Sequence, residues 1–222
     1  FSLILGINDP GPSLSAIIQF GSVLALIWHF RNDLFQLRNQ STRKIFDYCL
    51  YKKLSRSILI GTIPIVLLGG SIKIFFPYFY YEFLRSNLSI ALFSILMTIF
   101  MYLADRKKNG SINFKNHNYF DGFLIGFSQA FAIFPGISRS GITISTALLS
   151  GWERGDAAKF SFLLGIPAIF LTATFEFISS FNELYYFRFY PLIFGLISAF
   201  YSSLLAINFL LKFYSANGLR LF

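Results

Sequence analysis

Charge is what this chain of 222 residues has least of: Asp, Glu, Lys and Arg together make up 13% of it, against roughly 25% in a soluble globular domain. Hydrophobic residues supply 55% and mean hydropathy is +0.60, so the solvent read from the sequence is lipid. A bilayer span takes about 20 apolar residues, which leaves room for about five or six spans and no separate soluble catalytic domain. Cysteine is nearly absent too. The single Cys49 excludes an internal disulfide and a cysteine-rich metal site. The net charge of +9 is not the footprint of a nucleic-acid partner, because the basic residues sit between apolar runs rather than on a face of a soluble fold. Residues 1–7 carry neither the basic start nor the cleavage site of a signal peptide. The thirty Phe residues are given little functional weight.

What is present is a series of uncharged runs at 12–30, 57–81 (with Lys73 inside), 86–104, 160–175 and 189–211, read as five membrane spans. Gly61-Thr62-Ile63-Pro64 and Gly165-Ile166-Pro167 place a helix-bending proline in two of them. Between the third and fourth runs lie two shorter ones, 122–138 and 140–152, broken by Pro135, Gly136 and Arg139. Neither is long enough to cross. They fit a re-entrant hairpin over 120–152 that enters and leaves on one side, within a single membrane domain spanning 1–222.

The distribution of Lys and Arg favours that arrangement, since cytoplasmic loops carry the excess. Arg31, Arg38, Arg43, Lys44, Lys52, Lys53 and Arg56 form one basic segment, and Arg106, Lys107, Lys108 and Lys115 a second. With a returning hairpin, Arg154, Lys159, Lys212 and Arg220 join them, giving fifteen inside against Arg85 and Arg188 outside. A hairpin that crossed would lower the balance to twelve against five. Lys73 and Arg139 are left at membrane depth. The expected fold is therefore all-α and polytopic, with about five transmembrane helices plus the hairpin.

An arginine inside a membrane costs about 3 kcal/mol on insertion scales and is usually paired or functional. Around Arg139, Gly136 and Gly141 permit a tight turn, while Ser138, Ser140 and Thr143 add hydroxyls at the start of the following half-helix. Amides and the positive dipole end there favour an anion, and the guanidinium fork matches phosphate. Two other readings use the same residues: a broken helix whose Arg139 pairs with a carboxylate or carbonyls, and a transporter's discontinuous helix holding an anionic substrate. Spacing alone does not separate transport from hydrolysis.

The run Pro135-Gly136-Ile137-Ser138-Arg139-Ser140-Gly141-Ile142-Thr143 resembles the Pro-Gly-x-Ser-Arg-Ser-Gly-x-Thr signature of the undecaprenyl-diphosphate phosphatases, the bacitracin-resistance family. The likeness extends through 157–167, 18–25 and 61–64, and Asn8-Asp9-Pro10-Gly11 is similar to cyanobacterial members. The resemblance implies a multi-pass enzyme of the bacterial inner membrane. It would cleave undecaprenyl diphosphate to the monophosphate and return the lipid carrier to peptidoglycan synthesis. It also implies an inverted repeat with two re-entrant hairpins. On this likeness Arg139 binds the diphosphate, Ser138, Ser140 and Thr143 line the phosphate site, and Gln129, Gly136 and Gly141 shape the hairpin around the substrate.

The likeness further implies a divalent metal, Mg or Ca, on a Glu-x-x-x-Glu pair in a first hairpin that ends in a Ser-rich turn and His. No Glu precedes Glu82, and no metal ligand is assigned in this chain. A last membrane segment is also expected after Phe222, so the sequence is read as truncated at both ends. The rival readings are a non-hydrolytic polyprenyl-phosphate carrier or transporter, an inactive truncated paralogue, and a structural scaffold. A homodimer is left open.

The remaining polar residues are read as ordinary. Asp121, Glu153 and Asp156 are expected as helix caps and surface charge, Asp9 as a helix or turn start, and Glu176 and Glu183 as solvated at the outer end of a span. His29 and His117 are expected at the surface, and Lys73 is expected to snorkel.

Overall fold

The computed structural model describes residues 11–38, 45–76, 78–107, 110–179 and 189–217. Asp9, Glu183 and Arg188, together with the side chain of Lys73, lie outside the described residues. The described chain is helical: α1 Gly11–His29, α2 Arg31–Arg38, α3 Ile45–Phe75, α4 Asn87–Asp105, α5 Tyr119–Ala130, α6 Arg139–Leu149, α7 Arg154–Ser179 and α8 Phe189–Asn217. A π-helical turn, Phe79–Leu84, precedes α4, and a 3-10 turn, Phe131–Ile133, follows α5. Among the described residues the only β pairing is one isolated bridge, Ile112 to Trp152.

Four of these helices contain stretches long and apolar enough to cross a membrane: Lys52–Ile72, Asn87–Asp105, Arg154–Ser179 and Leu192–Tyr214. Ile17–His29 is a shorter apolar stretch. Only 11% of the Asn87–Asp105 window is buried within the molecule, and Leu88, Leu92, Ile95, Leu96 and Ile99 of α4 are exposed. An apolar surface on that scale has lipid as its solvent. The chain is an all-α polytopic membrane protein.

Two boundaries differ from the sequence reading. The described parts of the basic segment 31–56 are helical, formed by α2 and the first turns of α3. Long Lys and Arg side chains are good helix formers, and their charge decides membrane depth rather than backbone state. The run 57–81 breaks after Phe75, ahead of a proline, since the residue before proline is pushed out of the α region. Pro64 and Pro167 lie inside α3 and α7, which continue through them.

Two compact units are present. The first comprises 1–30 and 169–208. In it Gly21 of α1 lies so close to α8 that a Cβ would stand 2.6 Å from the Leu196 carbonyl oxygen. The Ser203 hydroxyl donates to that of Ser22 at 2.9 Å, and Gln19 Nε2 donates to Glu176 Oε2 at 3.1 Å. Glu176, three residues before the end of α7, is half-buried and accepts from that amide.

The second unit comprises 31–168 and 209–222 and contains the hairpin. Its organising contact is the crossing of α3 and α5, where small residues meet on both helices: Ser57 and Gly61 against Gly122 and Gly126. A Cβ on Gly126 would fall 2.1 Å from the Gly61 Cα. Small residues four apart let two backbones come this close, which is how helices associate where hydrophobic driving force is absent. Ile58, Ile125, Ile144, Leu148, Trp152, Phe160 and Leu164 are buried in this unit.

Candidate functional site: a broken-helix hairpin

The arms of the hairpin are α5, of 12 residues, and α6, of 11. At 1.5 Å per residue each reaches about 16–18 Å, roughly half the hydrocarbon thickness. Its base is closed by backbone pairing: Ile112 N donates to Gly151 O at 3.0 Å, and Glu153 N donates to Ile112 O at 2.8 Å. The chain therefore enters and leaves the hairpin at the same place.

That base is the charged end of the unit. Arg154 Nη2 lies 3.1 Å from both the backbone and the Oδ1 oxygen of Asp105. Lys159 pairs with Asp33 at 2.5 Å, and Lys107 Nζ donates to the Leu149 carbonyl oxygen. The residues expected as surface caps take part here. Asp156 Oδ2 accepts from Phe114 N at 3.0 Å, and Glu153 Oε1 accepts from Asn113 Nδ2 at 3.2 Å. Both carboxylates serve the loop that leads into the hairpin.

Asn118 and Asp121 start α5 with a reciprocal box. Asp121 N donates to Asn118 Oδ1 at 2.8 Å and Asn118 N to Asp121 Oδ2 at 2.7 Å, satisfying two amides that a helix start leaves unpaired. Asp121 is a cap, as expected, but it is buried. His117 corrects the sequence reading more sharply, being fully buried rather than at the surface. A polar loop sequence, Asn116-His117-Asn118, carries no sign of this, because burial is imposed by the loop folding onto α3. The signal that was available is the spacing of small residues, Ser57/Gly61 and Gly122/Gly126, which marks the crossing beside it.

At the tip, the 3-10 turn and the segment 134–138 reverse the chain. Gly136 has φ of +100°, in the left-handed region that favours glycine. Ser138 caps α6, its Oγ accepting from Gly141 N at 3.2 Å, and Ile142 N donates to the Ser138 carbonyl at 2.8 Å. Arg139 is the first residue of α6 and is half-buried, as is Ser140, while Ser138 is exposed. Arg139 thus stands in sequence between two serines in the first turn of a helix, the end at which backbone amides carry partial positive charge.

Thr143 sits differently. It is fully buried, and its hydroxyl donates to the carbonyl oxygens of Arg139 at 2.9 Å and Ser140 at 3.2 Å, within its own helix. Gln129, in the last turn of α5, is also fully buried, and neither of its side-chain polar atoms has a hydrogen-bond partner among the described residues. Gly141 faces α4, where a Cβ would meet Met101 Sδ at 3.0 Å.

The donor set at this tip is a cation and hydroxyls, suited to an anion and not to a metal ion. Among the described residues no group of three or more His, Cys, Asp or Glu is placed to hold one. The metal implied by the resemblance does not fit the residues described.

Fold and tip together define a polytopic all-α membrane protein presenting an arginine at the turn of a broken-helix hairpin. Residues 1–222 match the family described as "Bacitracin resistance protein BacA". The chain belongs to that family. It is 70% identical over 221 residues to a Prochlorococcus marinus (strain AS9601) protein named "Undecaprenyl-diphosphatase", covering 100% of this chain and 81% of that one. A protein of the same name from strain MIT 9312 is 69% identical, with 100% and 82% covered. One from strain MIT 9303 is 40% identical over 224 residues, with 99% and 76% covered.

Proposed function

We propose that this protein is a phosphatase of the bacterial inner membrane that hydrolyses undecaprenyl diphosphate to undecaprenyl phosphate and inorganic phosphate. One observation carries the reading: Arg139 opens α6 at the tip of a hairpin, in a chain that belongs to this family. Water adds to the terminal phosphorus, the bridging P–O bond breaks, and the lipid phosphate leaves with the bridging oxygen. Charge gathers on phosphoryl oxygens during that exchange, and a positioned guanidinium stabilises it.

In this reading 120–152 is a re-entrant hairpin, and Arg139 binds the diphosphate at the positive end of α6. Ser138 and Ser140 flank it as hydroxyl donors. Thr143 serves the site by tying the first turn of α6 through two carbonyls. Gly136 and Gly141 let the turn close against α4, and Gln129 lines the hairpin behind it. The prenyl tail lies in lipid along the apolar helices. The divalent metal expected from the resemblance would neutralise diphosphate charge; among the described residues no group of three or more His, Cys, Asp or Glu is placed to hold it.

The experiment is phosphate release from undecaprenyl diphosphate by the purified native full-length protein in vesicles, with lipid movement across the bilayer followed in parallel. Release of inorganic phosphate supports the reading. Movement of intact diphosphate lipid without release would overturn it in favour of a carrier, for which the broken helix is equally suited.

A further inference from the structure

His117 belongs to no part of the anion site, yet it is fully buried where the hairpin begins, two residues before α5. Its Nδ1 lies 2.8 Å from the Phe114 carbonyl oxygen, which can only accept. That ring nitrogen therefore carries the hydrogen, and Nε2 presents a lone pair. Nε2 lies 3.2 Å from Ser57 Oγ, so the serine hydroxyl donates to it. The ring is flanked by Trp152, 5.6 Å away at the hairpin's exit, and by Phe160 of α7 at 6.4 Å.

Ser57 connects this ring to the helix crossing. A Cβ on Gly122 would stand 2.7 Å from the Ser57 Cβ, so the serine is pressed against α5 while its hydroxyl holds the histidine. One imidazole thus joins α3, the loop 110–118, the exit of α6 and the start of α7.

We propose that His117 is a positioning residue, a neutral pin at the hairpin base, and that its protonation from the charged side of the membrane loosens the hairpin and slows turnover at its tip. The claim about turnover rests on the phosphatase reading; the claim about the pin does not. A proton on Nε2 would face the hydroxyl that now donates to it, and the new charge would lie between two aromatic rings away from water. Such a group resists ionisation.

Burial accordingly holds the ring below its ordinary value of 6.5. The Phe114 hydrogen bond and the Asp121 carboxylate pull upward, and Lys53 of α3 pushes down. Asp121 is already engaged by Asn118 N. On α7, Asp156 accepts from Phe114 N and Lys159 pairs with Asp33. Among the described residues no carboxylate is hydrogen-bonded to the ring, whose nitrogens go to Phe114 and Ser57.

The unfolded chain binds a proton at this position as pH falls through about 6.5, and the folded chain only at lower pH. Stability from His117 is therefore complete above that value and is lost progressively on acidification.

The test is the thermal unfolding midpoint of the detergent-purified native protein, His117→Gln and Ser57→Ala, measured between about pH 5 and 8. The native midpoint should fall on acidification, with the fall flattened in His117→Gln. In Ser57→Ala it should end about 0.5–1 unit higher and be smaller in total, because the neutral ring has lost its donor and the folded-state value moves back toward the unfolded one. Profiles of both variants parallel to the native one would overturn the pin. If His117→Gln does not fold, Ser57→Ala alone decides. Phosphate release in the same samples should lose kcat along the same acid limb at unchanged KM; a kcat limb that stays put in the variants would overturn the coupling. A midpoint that follows His117 in a protein releasing no phosphate would sustain the pin and remove the phosphatase reading.

Discussion

Gly136 rests directly on the backbone of α4 at Ile90: a Cβ added to the glycine would lie 2.5 Å from the Ile90 carbonyl oxygen and 2.9 Å from Ser94 Oγ. Two separate requirements meet at this residue, a left-handed φ and a neighbour too close for any side chain. The tip that carries Arg139 is thereby set against a helix much of whose apolar surface is exposed.

Gly136→Ala should therefore damage the site without unfolding the bundle. Left-handed strain in a residue with a Cβ costs about 1–2 kcal/mol, and the collision with Ile90 forces the tip to move. The expected result is normal membrane insertion with phosphate release reduced by about 100-fold, a loss typical of misplaced catalytic geometry. Insertion is checked by membrane fractionation and release by a phosphate assay.

The crossing of α3 and α5 makes a stability prediction. Gly126→Val puts side-chain atoms where the Gly61 backbone lies, and overpacking of this sort costs about 1–3 kcal/mol. Gly69→Val is the control, because a Cβ there would meet only Ile133 side-chain atoms, the nearest at 3.3 Å. Thermal unfolding in detergent should show a clear drop for the first and a smaller one for the second.

The two ends of the hairpin should be labelled from one side of the membrane. Asn116 and Glu153 are both exposed, before and after the hairpin. In a chain whose Cys49 has been replaced, Asn116→Cys and Glu153→Cys should both react with an impermeant thiol reagent applied to the cytoplasmic face. Reaction from opposite faces would mean that 120–152 crosses.

Arg154 and Asp105 form a pair that is uneven in burial, with side-chain exposures of 27% and 1%. Arg154→Ala removes the cation that faces the buried carboxylate, whereas Asp105→Asn leaves the arginine able to reach solvent. Breaking a buried pair from the wrong side costs about 3–5 kcal/mol at full burial, and the partial exposure of Arg154 reduces it. Arg154→Ala should be the more destabilising, and a midpoint lower in Asp105→Asn would contradict that.

Much of this was legible in the residues. Pro135 and Gly136 interrupt the apolar run, so the break between α5 and α6 could be drawn before any coordinates. The nine-residue run around Arg139 was sufficient to point to the family. Residue roles set by distant partners were not legible. His117 reads as a loop residue until Ser57, sixty positions earlier, is known to face it. The start of α3 reads as a basic loop because charge reports depth in the membrane and not backbone conformation.

The central claim is that the Arg139 guanidinium carries the diphosphate at the hairpin tip, and its most direct test is phosphate release by Arg139→Ala and Arg139→Lys in the native full-length protein. The account predicts a fall of about 10³-fold or more for alanine and only partial recovery with lysine, whose point charge lacks the two-pronged fit, with membrane insertion and the unfolding midpoint unchanged in both. Native turnover by Arg139→Ala would contradict it.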